Sequence, residues 1–141
     1  MLAIVGSSDA GDQSHLMPAI YFGRVDNEER MATIYSSADV VVAPSLEDNL
    51  PNVVLEALAC GTPVVAFAAG GIPDAINHKR NGWLAAVGDA EDLAAGIDWV
   101  LQDMRRHADL CRNAREKAIA EFNLAACAQR YMKLAVELAA R

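Results

Sequence analysis

At 141 residues with a net charge of −7, the chain has the length of one domain and lacks the basic footprint that duplex nucleic acid requires of a partner. Its composition, 53% hydrophobic but only 6% aromatic, describes a core of Ala, Val and Leu, which suits helices packed on a parallel sheet. Three cysteines, Cys60, Cys111 and Cys127, form no paired metal spacing and leave an odd number, which fits a reducing compartment better than a disulfide framework.

The apolar start, Met1 to Val5, is followed at once by Gly6-Ser7-Ser8-Asp9 without a basic leader, and reads as a strand rather than a signal peptide. Nothing later approaches membrane-spanning length. Strands are predicted near residues 2–5, 19–23, 39–43, 63–67 and 82–86, joined by helices near 27–37, 51–60 and 71–78. This order implies βα units and a parallel sheet. Asp26, followed by Glu28 and Glu29, suits the capped, acidic start of the first helix. The tail is helical. Asp89 caps a helix carrying Leu93, Ile97, Val100 and Leu101, a second runs from about Leu110 to Glu121, and a third carries Leu124, Ala128, Tyr131, Ala135 and Leu138. Arg105, Arg106, Arg112, Arg115 and Lys117 read most simply as a solvated face near helix ends.

In such sheets ligands sit beyond the carboxyl ends of the strands, where glycine-rich loops meet helix N-termini. The loop from Gly6 to Gly11 qualifies weakly, and Gly70-Gly71 reads equally as a helix opening or a turn. The richest segment is Val40 to Phe67, VVVAPSLEDNLPNVVLEALACGTPVVAF, which places acids and amides around one strand-to-helix turn. Pro51 suits a first helical turn, and Gly61-Thr62-Pro63 ends the helix near Cys60. Val54 and Leu58 face a core, while Asn49, Asn52 and Glu56 recur at offsets of three and four as a polar stripe. That stripe places Glu56 over the turn, near backbone N–H groups that attract anions. Acids and amides there also serve as ordinary caps and dipole partners, and chemistry alone leaves the two readings evenly matched. Cys60 reads as a small buried filler.

At these residues the chain resembles the donor-binding half of the retaining GT-B glycosyltransferases of family 4, whose fingerprint is two acids with seven residues between them, followed by a Gly-x-Pro-Val-Val turn. The resemblance continues through Tyr21-Phe22-Gly23-Arg24-Val25, Tyr35-Ser36-Ser37-Ala38-Asp39-Val40, Gly70-Gly71-Ile72-Pro73-Asp74 and Asn81-Gly82-Trp83-Leu84. It implies one half of a GT-B fold, a Rossmann-like three-layer αβα domain over residues 1–141, without the N-terminal acceptor domain of a full enzyme. It implies that Glu56 grips the ribose of a nucleoside-diphosphate sugar and that an acid before it contacts the sugar. Asp48 holds that place by register, where the family more usually has glutamate, and Glu47 competes by reach. The amides of Leu50, Pro51, Asn52 and Val53 border the phosphates, with Asn49 beside the sugar or phosphate, although Pro51 itself has no N–H to give. The resemblance also implies that Arg24 and Val25 border the nucleobase, largely through backbone.

No cofactor or metal is implied. The partners that the resemblance implies are the nucleotide-sugar and a saccharide or lipid-linked acceptor held by the missing N-terminal domain, with the full-length enzyme in the cytoplasm or at the inner membrane surface. An isolated chain is expected to be inactive, with an open groove at the sheet's carboxyl edge, Asp48 and Glu56 on its rim, and an apolar patch nearby where the missing domain or the final helix would dock. Two other classes stay open, a non-catalytic nucleotide-sugar-binding module and a GT-B-related sugar-nucleotide epimerase.

Overall fold

In the computed structural model, which describes residues 1–6 and 18–140, the elements run β1 (Leu2–Val5), β2 (Ala19–Gly23), α1 (Glu28–Ser37), β3 (Val41–Ala43), α2 (Asn52–Ala59), β4 (Val64–Phe67), α3 (Ile72–Ala75), β5 (Gly82–Ala85), α4 (Ala90–Leu101), α5 (Met104–Glu121) and α6 (Leu124–Ala139). They divide into two compact units, Met1–Ile34 and Tyr35–Arg141. In the first, β1 and β2 pair in parallel, with Leu2 opposite Ala19 and an irregularity between Ile4 and Val5. Beyond Gly6, the glycine-rich segment after β1 lies outside the described residues. The cap of α1 differs from the expectation. Asn27 Oδ1 accepts the Arg30 N–H at 2.7 Å, while Asp26 is paired with Arg24 at 2.6 Å. Asn27 stands three residues before Arg30, the spacing a cap needs, and Asp26 is one residue too early.

The second unit holds a parallel sheet in the order β3-β4-β5, with Val41 opposite Val64 and Val64 opposite Gly82. All four residues of β4 are buried, the expected fate of a continuous apolar run in a covered parallel strand. Val65 packs with Val100 of α4 and Leu110 of α5, and Val40, Trp83, Leu93, Ile97 and Trp99 close around them. Val54 and Leu58 of α2 are fully buried, as the four-residue spacing requires. The helix then stops where glycine allows it to: Gly61 has φ +78°, its N–H reaches Leu58 O at 2.9 Å, and the Thr62 N–H reaches Ala57 O at 2.9 Å.

Helix α3 is shorter than the predicted 71–78. Buried Asn81 donates to Ala75 O at 3.0 Å and accepts the Asn77 N–H at 2.7 Å, so one side chain satisfies the groups that a continuing helix would have paired. The chain turns there, with Lys79 at φ +63°. Helix α5 begins earlier than Leu110, at Met104, because Asp103 accepts the N–H groups of Arg105 at 2.8 Å and Arg106 at 3.0 Å. These bonds hold the Asp103 carboxyl below the usual carboxylate range, that to Arg106 most strongly.

The basic residues of α5 are not simply a solvated face. Arg106 lies 4.3 Å over the Trp99 ring and donates to Trp99 O, and Arg115 donates to Ala59 O at the end of α2. Lys117 reaches Asn77 Oδ1 at 2.9 Å. Arg112 pairs with Asp109 at 2.6 Å on the exposed side. Cationic side chains near the carbonyl-rich ends of helices explain Arg106 and Arg115, whereas Lys117 is held by a side-chain amide. Helix α6 forms as predicted, but none of its residues is buried, and Leu124, Tyr131 and Leu138 stand exposed.

Candidate functional site

Every strand of the second unit's sheet ends on the same side, and the loops leaving those ends border an open cavity of 610 Å³. Leu46, Glu47, Asp48 and Asn49 come from the loop after β3, Ala68, Ala69 and Gly70 from the turn after β4, and Val87 from the segment after β5. Leu46 and Val87 are exposed and give its mouth an apolar side. This is the crevice that parallel α/β sheets offer to ligands.

The two main loops are joined backbone to backbone. Gly71 N–H donates to Asn49 O at 2.5 Å. A Cβ on Gly70 would lie 1.7 Å from Asp48 O, and Gly70 holds φ +50°. Gly70-Gly71 therefore does more than open a helix, since no larger residue fits against the acid loop. Gly70→Ala is expected to destabilise the fold by roughly 1–3 kcal/mol and to displace the Asp48 loop, the usual result of a side chain forced into a left-handed, occupied position. Denaturant unfolding with backbone amide shifts of residues 46–50 measures both, and an unchanged midpoint with unmoved shifts is the contrary result.

On the third side, Asp92 in the first turn of α4 accepts the Ala86 N–H at 2.8 Å and the Trp83 indole N–H at 3.0 Å. Its carboxyl is held below the ordinary range, chiefly by the Ala86 bond and then by Trp83. This fixes the chain as it leaves β5, immediately before Val87.

The sequence-predicted site residues are only partly gathered by this cavity. Glu47, Asp48 and Asn49 line it, all three exposed. Leu50, Pro51, Asn52 and Val53 do not line it. They form the entry to α2, where Pro51 takes the cap position with φ −66° and makes no side-chain cap bond. Glu56, the fifth residue of α2, is exposed and does not line the cavity; its Oε2 accepts the Tyr35 hydroxyl at 3.1 Å. Tyr35 is only 4% exposed, and its phenol is pushed well above the usual tyrosine range by burial first and then by the Glu56 carboxylate. Arg24 and Val25 lie in the first unit, Arg24 exposed and paired with Asp26, Val25 half-buried. Cys60 is half-buried rather than a sealed core residue.

Sequence reasoning passed over Tyr35 as a partner of Glu56, and Leu46 and Val87 as the apolar side of the cavity. Tyr35 did lie within a quoted motif, but no periodicity links two residues 21 apart on different elements. Among the described residues no three or more His, Cys, Asp or Glu side chains are grouped so that they could hold a metal ion, and no helix is long and apolar enough to cross a membrane.

A family model described as glycosyl transferases group 1 matches residues 1–103. The chain belongs to the glycosyl transferases group 1 family. A D-inositol 3-phosphate glycosyltransferase of Mycobacteroides abscessus is 43% identical over 90 residues, 64% of this chain and 20% of that protein. The sucrose-phosphate synthase structure from Thermosynechococcus elongatus superposes with a TM-score of 0.77 at 36% identity, covering 86% of this chain and 30% of that one. The crystal structure of Anabaena Alr3699/HepE in complex with UDP gives a TM-score of 0.77 at 26% identity over 84% of this chain and 32% of its own. The expected α/β fold with parallel strands is the one found, and its neighbours are GT-B glycosyltransferases. This group 1 chain spans between 20% and 38% of the length of the first curated relatives it matches.

Proposed function

We propose that this chain is the donor-binding part of a retaining glycosyltransferase of the family 4 type, which moves a sugar from a nucleoside diphosphate onto a saccharide or lipid-linked acceptor. The observation that carries the reading is the pair Glu47 and Asp48, set in one cavity at the carboxyl edge of a parallel sheet in a group 1 chain. In this reading Asp48, by register, or Glu47, by reach, orients the sugar. Glu56 takes the ribose hydroxyls, and the N-terminal turn of α2 at Leu50 to Val53 meets the phosphates, as helix N-termini do for anions. Asn49 sits between sugar and phosphate, and Arg24 and Val25 border the base. The acceptor is held by a domain outside this chain, the chemistry uses no metal or cofactor, and the enzyme works in the cytoplasm or at the inner membrane surface. The solved complex of the HepE relative with UDP supports a nucleoside diphosphate as the ligand class.

Titration of the 141-residue chain with UDP, GDP and ADP, followed by backbone amide shifts, tests the site. Shifts are expected across residues 46–56, and Glu56→Gln should weaken binding by roughly 1–3 kcal/mol, the scale of a charge-assisted hydrogen bond. Shifts confined to α5 and α6 would sink the assignment. An affinity indifferent to Glu56→Gln would leave that residue an ordinary helix surface group.

A further inference from the structure

A hydroxyl that is removed from water must find a partner, and Tyr35 finds its partner in the one carboxylate the donor reading needs at the ribose. Tyr35 OH donates to Glu56 Oε2 at 3.1 Å, and the Tyr35 backbone is itself held by buried Thr62, whose Oγ1 donates to Tyr35 O at 2.7 Å. Thr62 belongs to the turn that ends α2, and its own N–H closes that turn on Ala57 O. The end of α1, the body of α2 and the turn before β4 are thereby tied through two side-chain bonds. We propose that Tyr35 is a positioning residue for nucleotide binding, which holds the Glu56 carboxylate in one orientation, and that Thr62 sets Tyr35 in place.

The proposal rests on the donor-site reading and adds a reason for its geometry. Glu56 is exposed on a helix, and a free glutamate there samples many rotamers that binding must freeze. A phenol donor occupies one acceptor site on Oε2 and leaves the outer oxygen, with the rest of the carboxylate's acceptor capacity, for two vicinal hydroxyls. Because Tyr35 is buried, its ring does not follow the carboxylate outward, and the anchor is rigid. The charge of Glu56 also resists ionisation of the phenol, so the donor stays protonated through the physiological range.

The test is a double-mutant cycle on nucleotide affinity in the 141-residue chain, using whichever of UDP, GDP and ADP binds it most tightly. Tyr35→Phe should weaken binding about threefold to tenfold, the effect of one lost hydrogen bond, and in a Glu56→Gln background the same change should cost less than twofold. Thr62→Val should weaken binding in the same direction, and Thr62→Ser, which keeps the hydroxyl, should restore it. Independently of any nucleotide, absorbance titration should show the Tyr35 phenolate appearing at lower pH in Glu56→Gln. Effects of Tyr35→Phe that are equal in both backgrounds, or absent while the parent chain binds, overturn the positioning role and leave the donor site standing. Failure of the parent chain to bind any of the three nucleotides overturns the donor reading and this proposal with it.

Discussion

Joined to an acceptor-binding N-terminal domain, this chain is expected to transfer sugar from a nucleoside diphosphate, and by itself it is expected to transfer none. Holding donor and acceptor in near-attack geometry is worth roughly 7–11 kcal/mol, and a donor half with no acceptor wall forgoes it. The cavity beside Glu47 and Asp48 is bounded by three loops from one sheet edge, with exposed Leu46 and Val87 at its mouth. Among the described residues no second wall closes over it to exclude the water that competes for an activated donor. The assay incubates the chain with a panel of nucleotide-sugars and saccharide or lipid acceptors, then repeats the panel with the upstream domain fused. Robust transfer by the chain alone refutes the half-enzyme reading. Inactivity of the fusion across a broad panel favours a nucleotide-sugar-binding module.

In the fused enzyme Asp48→Asn is expected to lower kcat by roughly 10²-fold with little change in nucleotide affinity, since a group that orients the sugar acts mainly in the transition state. Glu47→Gln is expected to be mild. Both carboxylates line the same cavity, so location does not separate them. Their backbones do differ. The carbonyl of Asp48 is pressed against Gly70, and that of the next residue accepts the Gly71 N–H, which fixes the main chain at Asp48. A short side chain on a fixed backbone positions its carboxylate more narrowly than a longer one. A kinetic pattern with Glu47→Gln severe and Asp48→Asn mild would show that reach outweighs register.

What was legible in the sequence was what local periodicity and capping govern. The apolar run Val64–Phe67 could only be a covered strand, Val54 and Leu58 could only share a buried helix face, and Gly61-Thr62-Pro63 could only end that helix. Glu47 and Asp48 were singled out by the family resemblance, not by periodicity, and both line the cavity because a strand-to-helix turn at the carboxyl edge of a parallel sheet opens into its crevice. Short-range misreadings had short-range causes: Asn27 rather than Asp26 had the spacing to cap α1, and Asp103 starts α5 six residues before the predicted Leu110.

Tertiary structure alone settled the pairings that cross elements. Asn81 truncates α3 by bonding Ala75 and Asn77, Arg115 of α5, though exposed, donates to the carbonyl that ends α2, and Gly70 is required by the carbonyl of Asp48, 22 residues away. Tyr35 at the end of α1 and Glu56 in α2 meet through one side-chain bond across 21 residues, a fact carried by neither helix's own pattern. Periodicity records which face of an element is buried, because burial repeats with the turn of the backbone. It does not record which group lies opposite, because that depends on how separate elements are stacked, and it is this stacking that brings the buried Tyr35 hydroxyl to Glu56.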